Sequence, residues 1–491
     1  MRRLTIFLTL LILPAFNLPA QTNTVDPALK RLKSAVNAQV AAAKKSAPAL
    51  GVSIVELDTA QPVYTYNADT QRILASNTKL LTSAAALDRL GPGFQFETDV
   101  ILRGEIRDGV LEGDLAVIGG GDPTFSGRDH FGDSYGAFRP WAARLREMGI
   151  ERIRGRLFVV HGLFDDERVH PTWPKDQLDR WYEAPVDALS FNDNCVLVKV
   201  KPDGKPGTPA IVELTPPLSM FRIEGNPVTI PWQQRQWVSI GRRKGSESHV
   251  FTASGKISSR AGSIDKWVTV TDPPRYFGEA LHAALAEEGI PVDGPVVPTV
   301  GLDNHSAGTW KRLLTHRTDL LTVLEIVNKR SQNFYAESVF KLLGARFCND
   351  GSWAGGQRAV SEFLTEIGLD PNSYKIADGS GMSRGNRMTA RQITTLLDEM
   401  YHHRWGPEYL RTLPYSGEED LRWHKRLVRQ PYLGNVMAKT GYLNGVSTLS
   451  GYAKARSGKI YAFSILCNSI RSKSAAESAQ DRIVRALIDN G

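Results

Sequence analysis

Two β-rich blocks at opposite ends of the chain restrict its fold more than any other feature. Near the N-terminus, residues 51–57 and 63–66 are rich in strand-forming side chains and flank a short turn. Near the C-terminus, three strand-like runs precede a closing helix, over residues 436–440, 445–453 and 460–466. A hairpin at one end and three strands at the other predict a single antiparallel sheet, split by insertions, with helices on both faces. The predicted fold class is therefore α+β.

The long stretch between the two blocks has a different residue pattern. Residues 93–301 are β-rich with frequent glycine and proline, which predicts an inserted domain. Residues 97–118 alternate like the strands of a β-meander, and residues 201–260 lack helical periodicity, which predicts a small nested β subdomain. We assign the flanks, residues 21–92 and 302–491, to the main domain.

The first twenty residues have the pattern of a secretory signal peptide. Arg2 and Arg3 precede an apolar run over residues 4–13, and small residues follow around Ala20. That run is much shorter than the ~20 apolar residues that a membrane-spanning helix needs, and no later stretch is long and apolar enough. We expect residues 1–20 to be cleaved and the mature chain to be exported to the periplasm without a transmembrane anchor.

The composition argues against several other classes of protein. The formal net charge is +8, but the basic residues are scattered and no nucleic-acid recognition module is visible, so we expect no nucleic-acid partner. The chain has only three cysteines, widely spaced, and lacks the HExxH pattern of a zinc enzyme. We therefore expect neither a metal nor another cofactor.

The candidate chemistry begins at Ser76 and Lys79, at the predicted N-terminus of a helix that ends at Leu90. Three residues make almost one helical turn, so the hydroxyl and the amine would lie on one face, near hydrogen-bonding distance. This places a nucleophile beside a possible base. The same S-x-x-K pattern recurs at Ser263 and Lys266, but there it leads into a predicted strand, where the two side chains would not stack.

Two further motifs follow in order: Ser331-x-Asn333 between two predicted helices, and a single Lys439-Thr440-Gly441 on a late strand. With this ordered trio the sequence resembles the penicillin-recognising serine enzymes. Within them it is similar to the class C low-molecular-mass penicillin-binding proteins, D-alanyl-D-alanine carboxypeptidase/endopeptidases of the penicillin-binding protein 4 type. The resemblance extends over residues 75–82, 184–185, 189–194, 377–384 and 451–452. The large insertion fits the same family.

The resemblance implies a transpeptidase-like catalytic domain and a covalent mechanism. Ser76 would attack the carbonyl of a D-Ala-D-Ala terminus or D-alanyl crosslink in a peptidoglycan stem peptide, giving an acyl-enzyme that water hydrolyses. Lys79 would be the base, and burial together with the Lys439 cation would keep it neutral. Ser331 would pass a proton to the leaving amine, and Asn333 would orient Lys79 or the substrate.

The same resemblance implies the substrate-binding residues. Lys439 and Thr440 would bind the terminal carboxylate, and the backbone N–H groups of Ser76 and Tyr442 would form the oxyanion hole. Tyr442 departs from the Ser or Thr that is frequent in relatives. The residues implied for the diaminopimelate side chain are Arg384, Asn444, Tyr182 and Asp176, with Gln177 as the alternative to Asp176.

A serine DD-peptidase that β-lactams inhibit covalently is the function that this pattern favours. A serine β-lactamase shares the trio and differs in turning penicillin over quickly. A non-catalytic peptidoglycan-binding protein on the same scaffold would bind cell wall equally well after Ser76→Ala. The intact set of Ser76, Lys79, Ser331 and Lys439 favours an enzyme.

Overall fold

The computed structural model describes residues 26–127, 132–243, 245, 249–302, 309–419, 421 and 425–491. The predicted signal peptide, residues 1–20, lies outside the described residues. Within them, no helix combines the length and the apolar character needed to cross a lipid bilayer.

Helices and strands alternate irregularly along the chain. The α-helices of the described residues are α1 (Pro27–Ala43), α2 (Thr78–Leu90), α3 (Arg139–Glu147), α4 (Pro273–Glu287), α5 (Leu320–Lys329), α6 (Asn333–Phe347), α7 (Trp353–Glu366), α8 (Ala390–His402), α9 (Gly406–Thr412) and α10 (Lys473–Asn490). The strands are β1 (Ala49–Glu56), β2 (Gln61–Tyr66), β3 (Arg72–Ile73), β4 (Gln95–Arg107), β5 (Val110–Ile118), β6 (Arg152–Ile153), β7 (Leu157–Val160), β8 (Cys195–Lys201), β9 (Ile211–Thr215), β10 (Arg222–Glu224), β11 (Val228–Ile230), β12 (Trp237–Arg242), β13 (Val250–Ser258), β14 (Ile264–Thr269), β15 (Val296–Thr299), β16 (Lys311–Asp319), β17 (Arg387–Met388), β18 (Val436–Leu443), β19 (Val446–Lys454) and β20 (Ile460–Asn468).

The two β-rich ends of the sequence form one five-stranded sheet, in the order β18-β19-β20-β1-β2. β1 pairs antiparallel with β20, which joins the N-terminal hairpin to the C-terminal strands. Alternate residues of β20 enter different cores: Phe463 and Ile465 pack in the core that includes α1 and α10, whereas Ala462 and Leu466 pack in the core that includes α8. Helices cover both faces of the antiparallel sheet, as the sequence predicts.

The helix α2 occupies the centre of the helical layer. Every residue from 78 to 87 is buried, because α5, α6 and α7 pack around it. The apolar side chains Leu80 and Ala84 belong to the largest core, which also receives Val327 of α5 and Phe340 of α6. The N-terminal end of this helix is therefore held rigidly, and Ser76 lies just before it.

The strands between α2 and α5 build further sheets beside the main one. One runs in the order β15-β7-β5-β4-β16, with β6 added to β5, and a second contains β14, β8 and β9. A third joins β10, β11 and β12 to β13. The strands of the last two sheets run from Cys195 to Thr269, around the predicted subdomain 201–260. The domain boundaries stay a prediction, and β16, which follows the predicted boundary at residue 301, pairs with β4.

Three local features differ from the sequence-based expectation. Instead of a meander of short strands, β4 and β5 form one long hairpin that turns between Arg107 and Val110. The sequence analysis missed β16, because it is an edge strand with one buried side chain and so lacks an apolar alternation. The predicted helix from Ser76 begins as a 3-10 turn, Ala75–Asn77, before α2.

Candidate active site

Ser76 lies in the 3-10 turn Ala75–Asn77, which leads directly into α2. Ala75 has a φ of 47°, a left-handed conformation that costs free energy for a residue with a Cβ. The turn is fastened to the sheet, since Asn77 Nδ2 donates a hydrogen bond of 2.7 Å to the carbonyl oxygen of Lys439. The position of Ser76 relative to the edge strand β18 is thereby fixed.

Lys79 is fully buried, and three oxygen atoms surround its amine. Its Nζ lies 3.1 Å from Ser76 Oγ, 2.6 Å from Asn333 Oδ1 and 2.7 Å from the carbonyl oxygen of Ser380. A neutral amine carries two N–H donors and one lone pair. The amide and carbonyl oxygens can only accept, so they take the two N–H groups and leave the lone pair for the Ser76 hydroxyl. This is the geometry of a general base next to a nucleophile.

Burial lowers the pKa of Lys79 from 10.5 to about 7. The removal of water disfavours the ammonium form, while the charges of Glu337 and Asp378 act in the opposite direction. Our sequence-based expectation gave Lys439 a share in this lowering. Burial, which we also expected, is the largest cause of the lowering, and the share of Lys439 stays a prediction.

Ser331 and Lys439 form a second pair on the other side of the centre. Lys439 Nζ donates to Ser331 Oγ at 2.8 Å and to the Thr440 carbonyl oxygen at 3.1 Å. Ser331 has a φ of 56°, so it is a second non-glycine residue of the site in the left-handed region. The ammonium of Lys439, only 1% exposed, can polarise the Ser331 hydroxyl.

Asn333, the first residue of α6, follows Ser331 by two residues and bonds to Lys79 of the first pair. Its Nδ2 donates to the Tyr182 carbonyl oxygen at 2.9 Å, and this bond directs Oδ1 toward Lys79. Three stretches that are distant in sequence, around residues 76–79, 331–333 and 439, thus meet through side-chain hydrogen bonds. The structure brings together the four predicted catalytic residues and Lys439.

The strand β18 passes so close to Ser76 that one of its positions has no space for a side chain. A Cβ on Gly441 would lie 2.9 Å from the Ser76 nitrogen and 2.2 Å from Thr448 Oγ1. The next residue, Tyr442, is 49% exposed, and Lys473 Nζ lies 4.6 Å from the centroid of its ring. The backbone at residues 441–442 therefore borders the serine, while the Tyr442 ring is largely in solvent.

The residues implied for the side-chain pocket form two separate hydrogen-bonded pairs. Arg384 donates from Nη1 to the Asn444 carbonyl oxygen at 2.9 Å, and both residues are exposed. The Tyr182 hydroxyl donates to Gln177 Oε1 at 2.9 Å. Asp176 is exposed, and its charge contributes, after burial, to raising the pKa of Tyr182. Tyr182 is linked to the centre through Asn333, whereas no hydrogen bond within the described residues links Asp176 to it.

The sequence analysis missed two contributors to the site. Glu337, fully buried on α6, accepts hydrogen bonds from the backbone nitrogens of Gly379, at 3.0 Å, and Ser380, at 2.8 Å. The Ser380 carbonyl oxygen in turn accepts from Lys79. A charged residue one turn after Asn333 in a largely apolar helix was an available signal for Glu337. Ser380 acts through its backbone, which leaves no signal in the residue type.

The groups that surround the centre are hydroxyls, amines, an amide and backbone carbonyls. Across the described residues, no group of three or more His, Cys, Asp or Glu side chains is placed to hold a metal ion. The arrangement provides a nucleophile, a base with a lone pair and a polarised hydroxyl. Together these can carry out acyl transfer by covalent catalysis.

The fold is that of the penicillin-binding proteins and related β-lactamases. The crystal structure of penicillin binding protein 4 (dacB) from Haemophilus influenzae aligns with a TM-score of 0.77 at 23% identity, over 90% of this chain and 97% of that chain. A complex of the same protein with a β-lactam aligns with a TM-score of 0.72 at 22% identity, over 92% and 99%. The predicted α+β transpeptidase-like fold class is confirmed.

Sequence comparison narrows this class to one family. A D-alanyl-D-alanine carboxypeptidase of Actinomadura sp. (strain R39) is 30% identical over 512 residues, 99% of this chain and 90% of the relative. The D-alanyl-D-alanine carboxypeptidase DacB of Haemophilus influenzae is 25% identical over 82% of each chain. The chain belongs to the D-Ala-D-Ala carboxypeptidase 3 (S13) family, whose model matches residues 32–489. It is a serine-type DD-peptidase, as predicted from its motifs.

Proposed function

We propose that the enzyme cleaves D-Ala-D-Ala termini or D-alanyl crosslinks of peptidoglycan stem peptides through an acyl-enzyme on Ser76. One observation carries this assignment: the Lys79 amine, buried and bonded to two acceptors, lies 3.1 Å from Ser76 Oγ. Because the Lys79 pKa is about 7, the neutral amine is well populated at neutral pH. It can therefore take the serine proton as acylation begins.

Acylation follows from these contacts. The Ser76 hydroxyl gives its proton to Lys79 Nζ while Oγ forms a bond to the carbonyl carbon of the substrate amide. The carbonyl oxygen, on which negative charge develops, accepts hydrogen bonds from the backbone N–H groups of Ser76 and Tyr442. Each of these bonds stabilises the transition state by about 3 kcal/mol in such a site. The close approach of Gly441 to the Ser76 nitrogen supports this role for the backbone of β18.

Release of the leaving group uses the second pair. When the amide C–N bond breaks, the leaving nitrogen takes a proton from the Ser331 hydroxyl. The proton that Lys79 received from Ser76 then passes to the Ser331 oxygen, so Ser331 is again a hydroxyl and Lys79 again a neutral amine. Lys439, at 2.8 Å from Ser331 Oγ, stabilises the serine oxygen during this transfer. A water molecule then attacks the acyl carbonyl, with Lys79 again as the base, and frees Ser76.

Substrate recognition draws on the remaining predicted residues. Lys439 and Thr440 bind the terminal carboxylate of the stem peptide through charge and hydrogen bonds. The other contacts serve the diaminopimelate side chain. They are assigned to Arg384, Asn444, Tyr182 and Asp176.

The proposal includes the compartment in which the enzyme works and the molecules that it meets there. Residues 1–20 have the flanks of a signal peptide, so the mature enzyme works in the periplasm, where peptidoglycan is its partner. β-Lactams acylate Ser76 because they present a strained amide to the same nucleophile. A β-lactam complex of the Haemophilus influenzae protein supports this part.

Intact mass spectrometry after incubation with benzylpenicillin tests the nucleophile. The expected result is one covalent adduct on the wild type and none on Ser76→Ala. Ser263→Ala is the matched control, because Ser263 begins the other S-x-x-K pattern and is exposed. The control should give the wild-type adduct. An adduct that persists in Ser76→Ala, or none on the wild type, contradicts the assignment.

Digestion of purified muropeptides tests the substrate. Release of D-alanine from pentapeptides, or separation of crosslinked dimers, is expected from the wild type and not from Ser76→Ala. Fast hydrolysis of benzylpenicillin with no muropeptide product would favour a β-lactamase. Cell-wall binding without any product, unchanged in Ser76→Ala, would favour a non-catalytic binding protein.

A further inference from the structure

Glu337 is a buried carboxylate one helical turn beyond Asn333, and both of its oxygens accept hydrogen bonds. Its Oε2 accepts from Trp353 Nε1 at 2.8 Å and from the Gly379 nitrogen at 3.0 Å, and its Oε1 accepts from the Ser380 nitrogen at 2.8 Å. The side chain has no exposed surface. A group that accepts three N–H bonds and donates none is suited to the ionised form of the carboxyl.

The backbone segment that Glu337 holds is the one that contacts the base. The Ser380 nitrogen bonds to Glu337, and the Ser380 carbonyl oxygen accepts from Lys79 at 2.7 Å. The preceding carbonyl, of Gly379, accepts from Thr82 Oγ1 of α2 at 2.8 Å. One carboxylate on α6 thus fixes the nitrogen of Ser380, and the carbonyl oxygen of the same residue receives an N–H of the Lys79 amine.

We propose that Glu337 is a positioning residue for the reaction, which holds the Ser380 carbonyl oxygen where it directs the Lys79 lone pair at the Ser76 hydroxyl. The inference rests on the proposed roles of Ser76 and Lys79. It assigns to Glu337 no contact with the substrate. Asn333 and Glu337 project from the same face of α6, so one helix orients both acceptors of the amine: directly through Asn333, and through Ser380 by way of Glu337.

Hydrogen bonds that do not involve Glu337 hold the rest of this loop, so the effect of Glu337 can be separated from the folding of the loop. Asp378 accepts from the backbone nitrogens of Gly381 and Ser383 and from Asn386 Nδ2, all of which remain when Glu337 is changed. Gly381 packs against the nucleophile turn, where an added Cβ would lie 1.9 Å from the Ala75 carbonyl oxygen. Removal of the Glu337 carboxylate should therefore free the peptide at residues 379–380 while the loop stays folded.

The charge of Glu337 also affects the titration of the base. It favours the ammonium form of Lys79, so removal of the charge should lower the Lys79 pKa further. Burial and then the neighbouring Asp378 raise the pKa of Glu337 itself to about 7, so the charge of Glu337 acts on Lys79 most fully above that pH. The charge of Asp378 acts on both Glu337 and Lys79, and Lys341 interacts with Glu337. In the next layer, His170 interacts with Asp378, and Asp165 forms an ion pair with Lys341. All of them are retained in the variants below.

Glu337→Gln and Glu337→Asp separate charge from position. In Glu337→Gln, an amide oxygen at the Oε2 site keeps the Trp353 and Gly379 bonds but sets an amide NH₂ against the Ser380 N–H group. Its volume is nearly unchanged. Glu337→Asp keeps the charge but withdraws both oxygens by one methylene. Asp122→Asn is the control, because Asp122 is equally buried, accepts bonds from Thr124 and Thr318, and makes no contact with the catalytic residues.

The test is the rate of acylation by benzylpenicillin from pH 5 to pH 9, followed by mass spectrometry, with circular dichroism to measure the folded fraction. Glu337→Gln should lower the plateau rate about 10- to 100-fold, the loss typical of a catalytic group displaced by about 1 Å. It should also move the acid limb, the part of the profile where the rate falls at low pH, to lower pH, because loss of the carboxylate charge lowers the pKa of Lys79. Glu337→Asp should lower the plateau rate and leave the pH of the acid limb unchanged. If Glu337→Gln does not fold, the plateau rate of Glu337→Asp tests the proposal.

If the wild type and the folded Glu337 variants have the same plateau rate and the same acid limb, the proposed role of Glu337 is overturned. That role is also overturned if the variants lose activity only in proportion to their unfolded fraction, as is expected of Asp122→Asn. A wild type without an adduct on Ser76 overturns the proposed function, so that failure is distinguishable from failure of the inference.

Discussion

Replacing Glu183 by glutamine is expected to stabilise the folded protein, increasingly so as the pH rises from 5 to 8. Glu183 belongs to the 3-10 turn Trp181–Glu183, next to the residue whose carbonyl holds Asn333. Its side chain has no exposed surface, and neither carboxyl oxygen has a hydrogen-bond partner within the described residues. Burial, and after it the charges of Asp176 and Asp179, raise its pKa from 4.5 to about 8.

The size of the effect follows from the two pKa values. The folded pKa is the higher one, so the stability that depends on this group is complete below pH 4.5 and is lost as the pH rises through about 8. At pH 7 the folded carboxyl is protonated and the unfolded one is ionised, which costs about 3 kcal/mol at ~1.36 kcal/mol per pKa unit. The cost is about 4 kcal/mol at pH 8 and below about 1 kcal/mol at pH 5. Glutamine is neutral throughout and loses no hydrogen bond here.

Differential scanning calorimetry of the wild type and Glu183→Gln at pH 5 and pH 8 measures this difference. The unfolding midpoint of the variant should exceed that of the wild type by about 4 °C at pH 8 and by about 1 °C or less at pH 5. Glu399→Gln, an exposed glutamate on α8, should show no such pH-dependent gain. If Glu183→Gln is no more stable than the wild type at pH 8, the reasoning that the buried Glu183 carboxyl lacks hydrogen-bond partners and destabilises the fold at that pH is refuted.

Three further outcomes concern the site. The acylation rate of the wild type by benzylpenicillin should rise about tenfold per pH unit below pH 7 and level off above it, since only neutral Lys79, with a pKa of about 7, accepts the proton; a flat profile from pH 5 to pH 8 contradicts a lysine base. Gly441→Ala should lower the same rate at least about 10-fold, because its Cβ would approach the Ser76 nitrogen to 2.9 Å, while Gly262→Ala, in open space, should match the wild type. Arg384→Ala should raise KM about 10-fold for stem peptides with a free diaminopimelate carboxylate, the loss typical of a charged hydrogen bond; an equal rise for the carboxamide analogue would argue against a carboxylate contact.

The parts of the fold that the sequence predicts are those in which both faces of an element are buried. β1, β19 and β20 are buried along most of their length, because helices lie on both sides of the sheet, and short turns mark their ends. β16 has no such pattern, since backbone pairing with β4 defines it more than its side chains do. The hairpin of β4 and β5 extends past its buried centre into exposed residues, where alternation no longer indicates the length of a strand.

The same distinction explains which parts of the site the sequence predicts. The predicted centre rests on contacts between side chains, such as Lys79 to Ser76 and Lys439 to Ser331, so each contact requires particular residue types and leaves a motif. The causes of the lowered Lys79 pKa do not all follow from those motifs. The sequence points to burial and to a cation beside the base, but it does not indicate the charges of Glu337 and Asp378, which oppose the lowering of the Lys79 pKa by burial.

A lysine base must satisfy two conditions that conflict. Desolvation must keep it neutral, yet its two N–H groups need acceptors in a place without water, because an unpaired buried donor costs about 1–3 kcal/mol. Neutral acceptors, the Asn333 amide and the Ser380 carbonyl, meet both conditions, since they bond the amine without adding a charge beside it. A carboxylate in direct contact would favour the ammonium form and remove the lone pair. Glu337 is one peptide removed from the amine, where it can orient the acceptor while its charge acts on Lys79 only at a distance.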